Sequence, residues 1–293
     1  MHRLFVTSMA AAAFAGSVLI AAQEGSRLPS EPVGQFGRSV TGAYDGWFDN
    51  SDGTASFLVG YYNRNSGESV DIPIGPANRI EPGGPDMGQP THFLPGRNIG
   101  MFTVRVPRGF TPQQSLTWTL TTNGQTTSIP LRVKQDYYVS PFGGDTIGNQ
   151  PPVIRFAQAG PTITGPTANP ARAVKLVTPA SSPLPLTIWA DDDARYTSGT
   201  NAPMRNPPPP VSITWSKYRG PGVVVFTDAH PRLDTLKGGK VGEPYSGRGA
   251  TTATFSTPGE YVLHALVNDY SGAGGNGEVC CWTTSLVAVT VTP

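Results

Sequence analysis

Apolar and polar residues alternate along most of this chain with a period of two. Phe57, Val59 and Tyr61 occupy every second position, as do Val70, Ile72 and Ile74, and again Phe102, Val104 and Val106. This spacing turns one face of an extended strand toward a core and the other away from it. Later in the chain the pattern predicts short strands at Val153–Phe156, Val174–Val177, Leu184–Ala190, Val211–Tyr218 and Val223–Phe226. Three more follow at Thr251–Phe255, Tyr261–Val267 and Trp282–Val291. Turn-forming residues separate them, as in a sandwich. Beyond the first 22 residues no segment sustains a helical period.

One hairpin can be read down to its register. Asn123-Gly124 supplies the positive backbone angles of a type I′ turn. A two-residue turn there sets Leu116 opposite Leu131, Trp118 opposite Ile129 and Leu120 opposite Thr127, so the apolar residues share a face. Pro130 then falls opposite Thr117 at a non-hydrogen-bonded pair, and its strand is expected at a sheet edge.

A length of 293 residues exceeds one ordinary sandwich and favours two domains. Glycine (35) and proline (30) make the chain loop-rich without reaching a low-complexity composition. Met1-His2-Arg3 precedes an alanine-rich apolar run ending at Ala22, the layout of a secretory signal peptide. Cleavage is placed after Ala22, although Ala13-Phe14-Ala15 fits the small-residue rule better.

The expected organisation is a signal peptide over 1–22, an extended lead-in over 23–39 and an N-terminal β-sandwich over 40–142. A linker over 143–151 and a C-terminal immunoglobulin-like domain over 152–293 follow. The fold class is therefore all-β, with two tandem immunoglobulin-like sandwiches in a secreted chain, extracellular or periplasmic. No stretch of the mature chain is long enough in apolar residues to span a bilayer.

A formal net charge of +1, with charged residues at 14%, gives no electrostatic footprint for nucleic acid. The only cysteines, Cys280 and Cys281, are adjacent and cannot join distant strands. A vicinal disulfide, two free thiols and a bridge to another chain all remain open.

Ile213-Thr214-Trp215-Ser216, Gly220-Pro221-Gly222-Val223 and the run from Thr252 to Leu263 containing Pro258-Gly259-Glu260-Tyr261 resemble the PKD-like modules of bacterial secreted proteins. The resemblance covers the C-terminal half of the second domain and implies an immunoglobulin-like sandwich there. Lys217-Tyr218-Arg219 departs from the commoner pattern, which has an Asp-Gly-rich turn at that point. The N-terminal domain resembles only uncharacterised secreted β domains. Alternation alone puts Tyr261, Leu263, Ala265 and Val267 inward, and Glu260, Val262, His264, Leu266 and Asn268 outward. Tyr261 stands where a tyrosine corner would, with Trp215 in the core beneath it.

Immunoglobulin-like topology brings the loops after the second and sixth strands to one end. Asp191, Asp192 and Asp193 would there approach Asp269, a candidate calcium site of flexible oxygen donors. The competing reading is solvated turn aspartates that stop a strand. Asp49-Asn50-Ser51-Asp52-Gly53 lacks the glycine spacing of a calcium loop and reads as a turn. His92, His230 and His264 lie in separate segments, and no serine sits in a Gly-x-Ser-x-Gly elbow. Trp47, Phe48, Tyr61 and Tyr62 form the densest aromatic group of the N-terminal half, either core or a platform for a sugar.

The function expected from these features is non-catalytic: a binding module or structural surface component. Another surface protein or a glycan is its candidate partner, and calcium its candidate cofactor. The rival is a secreted hydrolase, or the accessory domain of a polysaccharide-acting enzyme, which needs two carboxylates facing each other across a cleft. Oligomeric state is not legible.

Overall fold

A computed structural model describes residues 31–143, 148–196, 206, 208–240, 243–271 and 279–293. The predicted signal peptide and residues 23–30 of the lead-in fall outside them. The fold is all-β, its helical segments being single 3₁₀ turns at Gln135–Tyr137 and Pro170–Arg172. Among the described residues no helix is long and apolar enough to cross a membrane.

In the N-terminal sandwich, β1 (Val40–Asp49), β2 (Ala55–Asn63) and β6 (Gly96–Val106) form one antiparallel sheet in the order β1-β2-β6. Between β2 and β6 in sequence come β3 (Val70–Asp71), β4 (Asn78–Glu81) and β5 (His92–Phe93), of which β3 and β5 pair with each other. The facing sheet joins β4 to β7 (Leu116–Thr122) and β8 (Gln125–Leu131). The β7–β8 hairpin has the predicted register, with Leu116 paired to Leu131, Trp118 to Ile129 and Pro130 to Thr117. Asn123 and Gly124 hold φ of 51° and 74°, as a type I′ turn requires. Pro130 lies on an edge strand, since β8 pairs with β7 alone. Trp118 is fully buried against the edge of Phe102, and its Nε1 donates to Asn78 Oδ1 at 3.0 Å. That bond satisfies the one polar atom of a large core side chain.

The C-terminal sandwich follows the predicted strands closely. Its first sheet runs β10 (Val174–Pro179), β17 (Trp282–Thr292), β16 (Gly259–Asp269), β12 (Val211–Arg219). The second contains β9 (Val153–Arg155), β11 (Leu184–Asp192) and β15 (Tyr245–Phe255), with β13 (Val224–Phe226) and β14 (Leu233–Lys237) sharing the far edge of β15. β10 runs parallel to β17, while the neighbours within both sheets are otherwise antiparallel. With β9 and β10 as the split first strand, β11 is the second and β16 the sixth of an immunoglobulin-like order. Tyr261 is buried and donates its hydroxyl to Thr257 O at 2.8 Å, the bond of a tyrosine corner. Trp215 shares its hydrophobic cluster.

The outward face of β16 is covered over much of its length, with Glu260 at its start exposed. Alternation assigned its side chains correctly, but Val262, His264 and Leu266 pack toward the N-terminal sandwich. β2 is likewise covered on both faces: Phe57, Val59 and Tyr61 enter the N-terminal core, and Leu58 packs with Phe48 and Trp282. A bulge after Lys217 lets three successive residues reach across, which strict alternation would forbid. Lys217 Nζ lies 3.4 Å from Asp71, the Tyr218 hydroxyl donates to Gly88 O at 2.6 Å, and Arg219 makes two 2.9 Å bonds to the Asp86 carboxylate.

His264 lies in this junction, 2% exposed, its ring stacked on Tyr218. Ser216 and Leu286 are its strand partners, so no carboxylate flanks it across the sheet. Burial holds its pKa down at about 4, below the ordinary 6.5. A depressed histidine contributes stability that is complete above pH 6.5 and lost as pH falls through 4, amounting to about 3 kcal/mol. Urea unfolding of His264→Leu should therefore vary less between pH 7 and pH 4.5 than that of the parent. Equal slopes in the two proteins would contradict this assignment.

Candidate functional site

β11 and β16 end at the same pole, and their last residues bring Asp192 and Asp269 together. The charge of Asp269 raises the cost of ionising Asp192, and both residues are buried, at 9% and 5% exposure. Asp191 and Asp193 do not join them, because successive strand residues point to opposite faces. Asp191 pairs with Arg155 at 2.6 Å and accepts the Ser246 hydroxyl at 2.6 Å. Asp193 accepts from the Arg195 backbone N–H at 3.3 Å and lies 3.4 Å from its Nε. Among the described residues no three His, Cys, Asp or Glu side chains gather as metal ligands would.

A third side chain, from the segment expected to be a linker, completes the pole. Asn149 is 2% exposed and donates its Nδ2 to Asp269 Oδ2. Asp269 Oδ1 accepts from both the backbone N–H and the hydroxyl of Ser271, at 2.8 and 2.6 Å. The Ser271 hydroxyl in turn accepts the Cys281 backbone N–H at 3.1 Å. Cys280 and Cys281 are joined as a vicinal disulfide, buried with Cys281 Sγ 3.4 Å from Asn149 O. Tyr196 and Tyr270, one from each loop, meet with ring centroids 5.1 Å apart.

Among the described residues, Asp192 Oδ2 and Asn149 Oδ1 in this cluster have no donor. Asp192 Oδ1 accepts the Ala194 N–H at 2.8 Å, and Ala194 adopts a left-handed φ of 51° to give it. Burial chiefly, then the charges of Asp269 and Asp193, raise the Asp192 pKa from 3.8 to about 7. A buried pair of carboxylates can share one proton or take a cation. Carboxylate and amide oxygens are the hard donors calcium prefers, so the donor types fit that ion.

The histidines form no catalytic chain. His92 Nδ1 lies 2.8 Å from Asp71 Oδ1, a carboxylate that also faces Lys217. Burial lowers its pKa against the pull of Asp71. Among the described residues no hydroxyl or thiol meets its other ring nitrogen. His230 Nδ1 lies 3.1 Å from the Thr214 hydroxyl, but the only Asp228 bond nearby goes to the His230 backbone N–H, at 2.8 Å.

The aromatic group of the N-terminal half divides between core and surface. Tyr61 and Phe48 are buried, whereas Trp47 and Tyr62 stay half-buried. Tyr62 lines a surface cleft of about 560 Å³ whose walls come from β1, the β2 end, Arg97 and the chain from Ile129 to Tyr137. β8 pairs on one side only, and the second edge of β1 is bridged at Trp47 to Tyr138, leaving the flank around Thr41 to Tyr44 open. Gly42 keeps the strands close, since a Cβ there would stand 2.7 Å from the Trp118 ring. Of the residues lining this cleft, only Tyr62 stood out in the sequence as a candidate binding residue.

Comparison with protein-family models and with curated proteins finds no match for the chain.

Proposed function

We propose that this chain is an exported, non-catalytic binding protein in which a PKD-like C-terminal sandwich rigidly mounts an N-terminal ligand-binding sandwich. The observation that carries this reading is the open cleft between β1 and β8. Its volume of about 560 Å³ lies in the range of small-ligand sites, and it combines an apolar floor at Ile129 with polar groups converging from several strands. Tyr44, Tyr62 and Tyr137 supply flat, rigid contact area with a polar tip. Binding of a surface glycan or protein that is lost in Tyr62→Ala, with melting temperature unchanged, supports the reading. Polysaccharide turnover that disappears in Asp192→Asn or Asp269→Asn would replace it with the hydrolase.

The donor-free oxygens of Asp192 and Asn149 favour a calcium ion at the loop pole as an accessory to that function. Asp192, Asp269 and Asn149 would hold it, and the ion would tie the two loops and the segment before β9 together. At pH 8, about 1 mM calcium should raise the melting temperature by several degrees over chelator-treated protein. The double variant Asp192→Asn, Asp269→Asn should show no such rise. Identical melting of the parent in calcium and in chelator would leave the shared proton as the only account of the pair.

A further inference from the structure

Building on the binding reading above, we propose that the cleft between β1 and β8 takes an acidic glycan, a chain of sugar rings bearing carboxylates. Four of its lining residues are basic, Arg64, Arg97, Arg132 and Lys134, and none is acidic. In a chain of net charge +1 this is a local concentration of positive charge. Arg97 is partnered by Asp45, whose side chain is 5% exposed and reaches it from beneath. Arg132 and Lys134 form no ion pair among the described residues, and Arg132 Nε is buried with no hydrogen-bond partner. A guanidinium without an ion-pair partner suits a carboxylate, which can accept two parallel bonds from such a group.

The aromatic residues select sugar rings over simple anions. Tyr137 is 48% exposed, and its ring lies 5.2 Å from that of Tyr44. Tyr62 is held by the Arg64 guanidinium, 4.9 Å above its ring, while Arg64 Nη1 donates to Thr41 Oγ1 at 3.0 Å. The Tyr44 hydroxyl is fixed on Arg132 O at 2.6 Å. Walls set in place before binding lose little entropy when a ligand arrives. A uronate ring offers an apolar C–H face to a tyrosine and a carboxylate at its rim to an arginine.

The backbone argues against a peptide strand as occupant. Strand addition needs a row of free main-chain groups along an edge. Pro130 has no N–H to give. Arg132 O is taken by the Tyr44 hydroxyl, Lys134 O accepts Trp47 Nε1 at 2.6 Å, and Trp47 O accepts the Val139 N–H at 2.9 Å. Side chains therefore make the contacts in this cleft, as a glycan site requires.

Calorimetric titration of the mature chain with hexagalacturonate, a neutral xylohexaose and hexaglutamate tests the proposal. Hexagalacturonate should bind, and weaken about tenfold or more between about 50 and 300 mM salt. Arg132→Gln with Lys134→Gln, and separately Tyr62→Ala, should each lower its affinity about tenfold or more, with circular dichroism and melting unchanged. All three side chains reach the surface, so these variants should fold. Failure of hexagalacturonate to bind overturns the proposal, as does binding unaffected by the arginine–lysine variant. Xylohexaose binding equally well and lost in Tyr62→Ala overturns the acidic ligand but leaves the binding function standing. Equal binding of hexaglutamate in the same cleft assigns it to an acidic peptide instead.

Discussion

Trp282→Ala lowers the stability of this protein by about 3–5 kcal/mol, the usual cost of removing a fully buried tryptophan. Trp282 opens β17, has no exposure, and packs with Phe48 and Leu58 of the N-terminal sandwich. The fit is close: a Cβ on Gly100, which holds a φ of 56°, would stand 2.5 Å from the Trp282 ring. Collapse into the vacated space is opposed from both sides by strands fixed in their own sheets. Such a loss is a large part of a typical folding free energy of about 5–15 kcal/mol. Because the ring is shared, the loss should reach both sandwiches. Urea unfolding followed separately in the far-ultraviolet and through core tryptophan fluorescence checks this. Should the variant lose less than about 1 kcal/mol, or only one sandwich be weakened, the junction would not be the rigid mount described above.

Asp192→Asn is expected to make the protein more stable than its parent at pH 8 in the presence of chelator, and to flatten its pH profile. The Asp192 pKa of about 7 exceeds its ordinary 3.8, so the folded state binds a proton that the unfolded state has released. The stability this gives is complete below pH 4 and is lost as pH rises through 7. A difference of that size corresponds to about 4 kcal/mol, an upper figure because part of the shift comes from the neighbouring charge of Asp269. Asparagine keeps the shape without the charge and removes the window. Chelator-treated parent and variant unfolded in urea at pH 5 and pH 8 provide the measurement. A parent equally stable at both pH values, relative to the variant, would exclude the buried shared proton. The His264 dependence covers nearly the same window, from pH 4 to 6.5, but runs the other way, so the sign of the slope lost in each variant tells the two residues apart.

The parts of the fold legible in the sequence were those with a local physical cause. The Asn123-Gly124 turn fixes the hairpin register because only one pairing puts Leu116, Trp118 and Ile129 on one face. Four strands escaped for equally local reasons, β4 and β5 because they are too short to show a period. β1 carries Gly42 and Gly46 within its run, which breaks the apolar alternation. β14 is exposed along nearly its whole length, so no face of it carries a burial signal. At the pole, the sequence reading groups Asp191, Asp192 and Asp193 with Asp269; only Asp192 meets it, because successive strand residues alternate between faces. Asn149 could not have been found, since nothing in a glycine- and proline-rich stretch marks one amide as buried.

The sequence by itself determined the all-β class, the strand positions of the C-terminal sandwich apart from β14, the edge placement of Pro130 and the tyrosine corner at Tyr261. Period-two patterning and turn chemistry act over a few residues, so they can be read from a few residues. Only the tertiary structure decided what each face meets. Alternation says that Val262, His264 and Leu266 leave one core, and cannot say that a second sandwich receives them. The same holds for the cleft, whose tyrosines, arginines and lysine come from β1, β2, β6 and the chain after β8. Their convergence depends on how two sheets stack and where their edges stay open, which is a property of packing and has no local code.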